Sequence, residues 1–401
     1  MQEVTTTKEE AVRFRQDIHA RIRSKTREAI EAVLDEELTA ALGSASYERT
    51  EGRSGYRNGT QVRTVTTGLG PRDLRIPRGR LINGDRTTSE CRNEILPRYA
   101  RRTKEVDAAV LGVYLAGANS RRIRKALEPL LGSTNLSKSA VSRVVGRLKA
   151  LFEVWSGRDL TNERYAVLYL DGFHLKVRVA RRVVSVPVLA VLGVAEDGTK
   201  VLVSLRVAAS EAASQWSGVL IDLQKRGLIA PRLIVVDGHA GLKKALEDWP
   251  NVKVQRCAKH KLANLDEHCP RHARPEMRRD YHLIINASDG LAARKAYDAF
   301  VAKWSKLCPA VARSLEEAGH ELLTFYTFPK AMWRSLRTTN PLENLNREFR
   351  RRTKTQASFG QEASALTLLY GLIAFGQIRM HKIGGHRELK ALTANMNVQA
   401  A

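Results

Sequence analysis

Between about residues 8 and 43 apolar residues recur every three to four positions, in EEAVRFRQDIHARIRSKT and REAIEAVLDEELTAALG. The period predicts two amphipathic helices, the second stopped at Gly43. The period then changes. VRTVTT and DLRIPR alternate around Gly68-Leu69-Gly70-Pro71, which predicts a small β-hairpin whose basic outer face carries Arg57, Arg63, Arg72, Arg75, Arg78 and Arg80. Helical spacing returns from about 103 to 153, with Ser120 placed to cap SRRIRKALEPLLG and Ser137 to cap SKSAVSRVVGRLKALFEVW. A short helix, a glycine-bearing turn and a second helix opening with small polar and basic groups (Ser139, Ser142, Arg143) is the layout of a helix-turn-helix, though an ordinary helical linker domain has the same pattern.

From about 165 the texture turns to strands. YAVLYLDGFHLKVRVA, VVSVPVLAVLGVAED and TKVLVSLRVAAS are joined by tight connections, one marked by Asp197-Gly198. A helix (EAASQWSGVLIDLQKRG), a buried-type strand (PRLIVVDG), a helix (GLKKALEDW) and a last strand (VKVQRC) follow. The order β-β-β-α-β-α-β predicts an antiparallel meander extended by parallel strands with helices on the faces. That is the pattern of a ribonuclease-H-like α/β core. Residues 258–335 read as helical and interrupt this core, and QEASALTLLYGLIAFGQIRMH supplies a final apolar helix to pack on the sheet. The expected domains are therefore residues 1–100 (helices and hairpin, DNA-binding), 101–160 (helix-turn-helix-like, DNA-binding), 161–257 with 336–401 (catalytic core) and 258–335 (helical insertion).

Charge sharpens the picture. Of 401 residues, 67 are Lys or Arg and 42 are Asp or Glu, a formal net charge of +25. The excess is dispersed through helical segments, in pairs such as Arg121-Arg122, and not gathered in one tail. Such a surface attracts a polyanion through counterion release, so double-stranded DNA is the expected partner. The N-terminus MQEVTTTKEEAVRF is polar, and no apolar run approaches the ~18 residues of a membrane span. Four cysteines without a secretion signal suggest free thiols in a reducing cytoplasm.

Three carboxylates stand where this core would use them. Asp171 lies within the first strand, Asp237 closes RLIVVDG, and Glu343 opens TTNPLENLNREFRRRTK, with spacings 237 − 171 = 66 and 343 − 237 = 106. Hard oxygen ligands converging from rigid elements hold Mg²⁺, with Mn²⁺ able to substitute, and paired ions of this kind drive in-line displacement at phosphodiesters. Each acid also has a plainer explanation. Asp-Gly is a common turn, and Glu343 is spaced to pair with Arg347 one turn on. An unpaired turn carboxylate would nonetheless be costly among LYL and FHLKV.

Around the acids, Cys257 and His260 follow the last strand, and His268, Cys269 and His272 lie beyond. The spacing is irregular for a dedicated zinc site, so Cys257 and His260 are expected beside the metal pocket, orienting a carboxylate or contacting a phosphate. His174 and His239 flank the acids as further supporting groups. On the helix of Glu343, Arg347, Arg350 and Lys354 fall on the acid's own face with Arg351 nearby, positioned to hold a DNA backbone. Tyr297, Phe300, Trp304 and Trp333 are spaced like core residues.

The segments EELTAALGSASYERTEGRSGYRNG, TGLGPRDLRIPRGR, YLAGANSRRI, LSKSAVSRV, DGFHLKVR, VVDGHAGLKKAL, QRCAKHKLANL and RTTNPLENLNREFRRRTK together resemble the IS256-type insertion-sequence transposases, bacterial relatives of the Mutator transposases. The resemblance spans nearly the whole chain. It implies a DDE triad carried by Asp171, Asp237 and Glu343, a ribonuclease-H-like core with a helical insertion before the glutamate, and a C-x-x-H signature carried by Cys257 and His260. It also implies recognition of terminal inverted repeats, hydrolysis at the element ends, and attack of the freed 3′-OH on target DNA by a homodimer or larger assembly on paired ends. His174 stands where the family usually has an aromatic. The rivals are a nuclease or resolvase that cuts without joining, and a non-catalytic DNA-binding regulator.

Overall fold

The structure is a computed structural model. It describes residues 2–390 apart from 49, 51, 132–135, 180–181, 250–251, 355–358 and 360–361, and the backbone alone of 2–16, 19, 120–121, 178–179 and 248. Two compact units divide at Gly146/Arg147.

The first unit opens with α1 (Gln2–Leu42), one continuous helix where the sequence predicted two. The expected boundary falls between Thr26 and Arg27, where there is no Gly or Pro, and the Thr26 hydroxyl donates to the carbonyl of Ile22 at 2.8 Å. Gly43 ends the helix in the left-handed region as expected, at φ 68°. The hairpin forms and is longer than predicted: β1 (Gly55–Thr67) pairs antiparallel with β2 (Gly70–Ile82), and β3 (Thr88–Glu90) adds a short edge. Leu34 of α1 packs with Val65, Leu74, Ile76 and Leu96, which is why alternate β2 residues are apolar.

Three helices follow: α2 (Lys104–Leu115), α3 (Ser120–Leu131) and α4 (Lys138–Ser156), the last crossing the division between units. The expected boundary near residue 100 is bridged by backbone hydrogen bonds, Thr66 N–H to Arg101 O at 2.9 Å and Thr103 N–H to Thr66 O at 3.0 Å. Ser137 caps α4 as predicted, its Oγ accepting from Ala140 N–H at 3.1 Å. For α3 the cap is one residue earlier than expected: Asn119 Oδ1 accepts from Arg122 N–H at 3.0 Å, while Ser120 is already helical. The glycine-bearing turn between α3 and α4 lies outside the described residues.

The second unit is a mixed α/β structure. Strands β4 (Tyr165–Val179), β5 (Arg182–Ala195) and β6 (Lys200–Val207) form an antiparallel meander. After α5 (Ala213–Lys225), β7 (Leu233–Val236) runs parallel to β4; after α6 (Ala240–Ala245), β8 (Lys253–Arg256) runs parallel to β7. The sheet order is β6-β5-β4-β7-β8, with the expected chain order. β7 is buried at every residue, as a strand covered on both faces must be. Trp216, Val219, Leu220 and Leu223 of α5 cover one face.

Beyond β8 come α7 (Ala258–His268), α8 (Arg274–Ile285), α9 (Gly290–Leu307) and α10 (Pro309–Ala318), with their own core around Met277, Tyr281, Phe300, Trp304 and Leu315. Tyr297, Phe300 and Trp304 are buried there, as their spacing predicted. Short turns and α11 (Trp333–Leu336) lead to α12 (Asn340–Thr353), and α13 (Glu362–Ala374) is the last long helix. Among the described residues no helix is long and apolar enough to cross a membrane.

Candidate active site

The pairing of β4 with β7 puts two acids at one place. Leu170 lies opposite Val236 in parallel register, so Asp171 and Asp237 each follow a paired residue. They differ in surroundings. Asp171 stays inside a long strand, opposite Ala190 of β5, and is 7% exposed. Asp237 leaves the sheet on a turn, and its Oδ1 accepts from the backbone N–H of His239 at 2.9 Å. Gly238 makes that turn possible at φ 95°, and a Cβ there would sit 2.2 Å from Arg256 Nε.

Glu343 arrives on α12, which lies over β4. The Phe173 and Phe349 rings meet at 5.8 Å between centroids and fix the helix against the strand. Asn346, one turn beyond Glu343, then donates from Nδ2 to Asp171 Oδ2 at 3.0 Å. The other amide atom, Asn346 Oδ1, is buried without a hydrogen-bond partner. Thr339 begins α12 but does not cap it; its hydroxyl stands 3.1 Å from Glu343 Oε1 and 3.4 Å from Cys257 Sγ. Lys259 of α7 forms an ion pair with Glu343 Oε2, and His260 Nε2 lies 3.7 Å from Oε1.

These neighbours split the acids electrostatically. Burial, then the charges of Asp237, Glu343 and Glu211, push the Asp171 carboxyl up to about 7, against the pull of His260. Glu343 moves the other way. Burial opposes its ionisation, but the Lys259 hydrogen bond and the His260 charge outweigh it and hold the carboxyl below the usual range. Burial likewise opposes ionisation of Cys257, and hydrogen bonding and charge from His260 reverse the sign, so the thiol is lowered. His260 is correspondingly raised to about 9 by its hydrogen bond with Cys257, despite partial burial.

Of the predicted supporting residues, Cys257 and His260 do stand beside Glu343. His239 caps α6 with its ring, Nδ1 accepting from Gly241 N–H at 3.2 Å, and reaches Asp237 through its backbone alone. His174 is more than half exposed, 3.9 Å from Glu211. Sequence reading missed Glu211, Asn346, Lys259 and Thr339. Asn346 had a signal, because three residues beyond Glu343 is the same helical face. Glu211 had none: it lies in a loop, admitted beside Asp171 because Gly172 has no Cβ to block it.

The predicted basic residues fall into two groups. Arg75, Arg78, Arg122, Ser139, Ser142 and Arg143 are exposed in the first unit, and in the second so are Arg347, Arg350 and Arg351 along α12 and Lys354 just after it. Arg57 and Arg63 are not on an open outer face. Arg57 forms a two-pronged pair with Asp35 at 2.5 and 3.2 Å, and Arg63 donates to the backbone carbonyls of Leu96 and Pro97 at 3.2 and 3.1 Å and to that of Arg98. Both guanidiniums hold the hairpin to its surroundings, a correction to the expected DNA-facing role. The Arg121 side chain lies outside the described residues.

A mixed α/β unit with one buried acid inside a central strand, a second at the end of its parallel neighbour and a third on a helix laid over that strand fits phosphoryl-transfer enzymes in general. Comparison with known proteins narrows the class. The family described as "Transposase, Mutator family" matches residues 1–377. The transposase for insertion sequence element ISRM5 of Rhizobium meliloti is 34% identical over 352 residues, covering 88% of this chain and 86% of that one. The transposase for IS406 of Burkholderia multivorans is 36% identical over 84% of this chain and 86% of its own. That for IS256 in transposon Tn4001 of Staphylococcus aureus is 30% identical over 84% and 85%. The chain belongs to the Mutator family of transposases and is a DNA transposase.

Proposed function

We propose that this transposase is an insertion-sequence enzyme whose sheet and α12 form a ribonuclease-H-like DDE core, with Asp171, Asp237 and Glu343 as its acid centre. The observation that carries the reading is the state of Asp171. It is buried, it feels the charges of Asp237, Glu343 and Glu211, and among the described residues the side-chain donor to it is an amide whose oxygen is left unpaired. What such a site lacks is a hard cation, and the oxygen-rich donor set suits Mg²⁺, or Mn²⁺ in its place. Asp171, Asp237 and Glu343 would hold it, and when bound it would activate a nucleophilic oxygen and offset charge on the leaving oxygen of an in-line displacement.

This chain's residues do the rest. Asn346 orients the Asp171 carboxylate. Lys259 neutralises Glu343 before DNA and cation arrive, and its exposed stem leaves it free to turn to a phosphate. Arg347, Arg350, Arg351 and Lys354 line one helix with cations that would bind the DNA backbone near the scissile bond, and the exposed basic groups of the first unit would read the terminal inverted repeats. The enzyme would work as a homodimer or larger assembly that bridges two element ends and joins the 3′-OH to target DNA.

The test uses precut element-end oligonucleotides with Mg²⁺. Wild-type protein should join them to target DNA, and Asp237→Asn should lose joining by about a thousandfold or more while binding ends within a few-fold, because phosphate contacts supply the affinity. Cleavage without joined product would favour a nuclease or resolvase. Full joining by Asp237→Asn would remove the acid assignment.

A further inference from the structure

We propose that Cys257, His260 and Glu343 form a separate binding site for a thiophilic divalent ion of the Zn²⁺ class, sharing Glu343 with the acid centre. Among the described residues these three form the one group whose ligand atoms all lie within 4.8 Å of one another. Sulfur, imidazole nitrogen and carboxylate oxygen are the donors zinc prefers, and its bonds of about 2.0–2.3 Å need only small rotations from that spacing. The sequence hid the set because its third member comes 343 − 260 = 83 residues after the second.

The surroundings are those of ligands held ready. Cys257 Sγ accepts from Thr339 N–H at 3.4 Å and lies the same distance from the Thr339 hydroxyl, an arrangement that fixes the direction of the sulfur lone pairs. The cysteine backbone is fixed too, its N–H donating to Val236 O at 2.7 Å, at the strand end that carries Asp237. His260 and Glu343 are partly open to solvent at 37% and 21%, which leaves an entry path and room for a water as fourth ligand. Lys259 covers Glu343 but is 59% exposed and can swing aside.

Sharing Glu343 has a consequence. An ion seated on sulfur draws this carboxylate away from Asp171 and Asp237, so zinc-class metal would oppose the Mg²⁺-dependent reaction. That consequence rests on the acid-centre reading; binding itself does not.

Co²⁺ is the probe, titrated into the full chain, because a cobalt–thiolate bond absorbs in the near ultraviolet and tetrahedral cobalt absorbs strongly in the visible. Wild type should show both bands at one ion per chain, bleached by Zn²⁺. Cys257→Ser and His260→Gln should each weaken binding by about 10–100-fold. His260→Gln keeps the test valid should the buried serine misfold. Asp237→Asn should retain the bands, as should a chain with Cys91, Cys269 and Cys308 all changed to Ser. No thiolate band in wild type, bands that survive both Cys257→Ser and His260→Gln, or bands lost from the triple variant would overturn the proposal. In wild type, one equivalent of Zn²⁺ should suppress Mg²⁺-driven joining. A chain that joins no DNA yet shows the bands would fail the acid-centre reading and leave the zinc-class site standing.

Discussion

Two charged clusters share the turn from β8 into α7, and they are built on opposite plans. Lys259 and His260 face Glu343 and the acid centre. Arg256, three residues before them, and Lys261, the residue after, face Glu317 of α10. The second cluster is balanced. Arg256 and Lys261 are 2% and 3% exposed, Glu317 accepts from both at 2.9 Å, and Glu321 stands 3.7 Å from Arg256. Burial lowers Lys261, and although burial also works against Glu317, its two cations hold it below the usual carboxylate range. The first cluster is unbalanced: the charges of Asp237, Glu343 and Glu211 all act on the buried Asp171, the nearby Lys259 and His260 face Glu343, and the Asp171 carboxyl is pushed up. A cluster that exists to hold a fold is neutralised from within. One left short of positive charge is what the proposed cation-binding role would require, the cost being tolerated locally.

Gly238 is where the two plans touch, and changing it should have the largest effect. In Gly238→Ala the new Cβ would press on the Arg256 guanidinium, which Glu317 holds in place, at a backbone angle that disfavours a side chain. Steric strain and overpacking together should cost about 4 kcal/mol and displace Asp237, read as a lower melting temperature with loss of joining. A stable, active Gly238→Ala would mean that the Arg256 cluster does not set the position of Asp237.

Asp171→Asn should act in the other direction. Its carboxyl titrates near 7 in the folded chain against an ordinary 3.8, so folding favours the protonated form. The stability this group contributes is therefore fully present below about pH 4 and lost as pH rises through about 7. The amide variant should match wild type near pH 4 and exceed it by about 2–4 kcal/mol at pH 8 in metal-free buffer, measured by denaturant unfolding. Mg²⁺ should then stabilise wild type more than the variant. Equal stability at both pH values would show that the acid centre is not short of positive charge.

In the balanced cluster, Glu317→Gln leaves Arg256 and Lys261 buried with half their partner. Breaking a fully buried pair costs about 3–5 kcal/mol, and because Glu317 is half exposed the loss here should be about 2 kcal/mol. Joining activity per folded molecule should be little changed, which separates this cluster from its neighbour.

Sequence reading found one plan far better than the other. Asp171 and Asp237 stood out as candidates because a carboxylate inside or at the end of an apolar strand is costly without a partner, and Glu343 because it opens a basic segment. The balanced cluster was invisible. Arg256 and Glu317 are 317 − 256 = 61 residues apart, and each looks like an ordinary surface charge in a chain with 67 cations. The same abundance misplaced Arg57 and Arg63, since period-2 alternation tells which face a residue takes but not whether an acid such as Asp35 on a packed helix waits there. The N-terminal break did not form for a related reason: a polar side chain that bonds back to its own helix, as Thr26 does to Ile22, leaves the helix continuous. Asn346 and Thr339 were in reach of spacing arguments. Glu211 was not, because only the sheet edge brings that loop to Asp171.

The smallest effect should come from Lys259, and it tests the comparison most finely. Lys259 and Lys261 are two residues apart on one helix, and each is paired with a glutamate. Lys259 is 59% exposed, so its ion pair is screened by solvent and an alanine there should change stability by no more than about 0.5 kcal/mol. Lys261, at 3% exposure, has already given up its hydration. Lys261→Ala loses buried stem packing and leaves Glu317 on Arg256 alone, at about 2 kcal/mol or more. Joining should show the reverse order: Lys259→Ala removes the charge that tempers Glu343 and loses rate, while Lys261→Ala loses mainly folded protein. If the two alanine variants lose stability equally, the helix does not separate a structural cluster from a functional one, and the contrast between balanced and unbalanced charge fails at the turn where it was drawn.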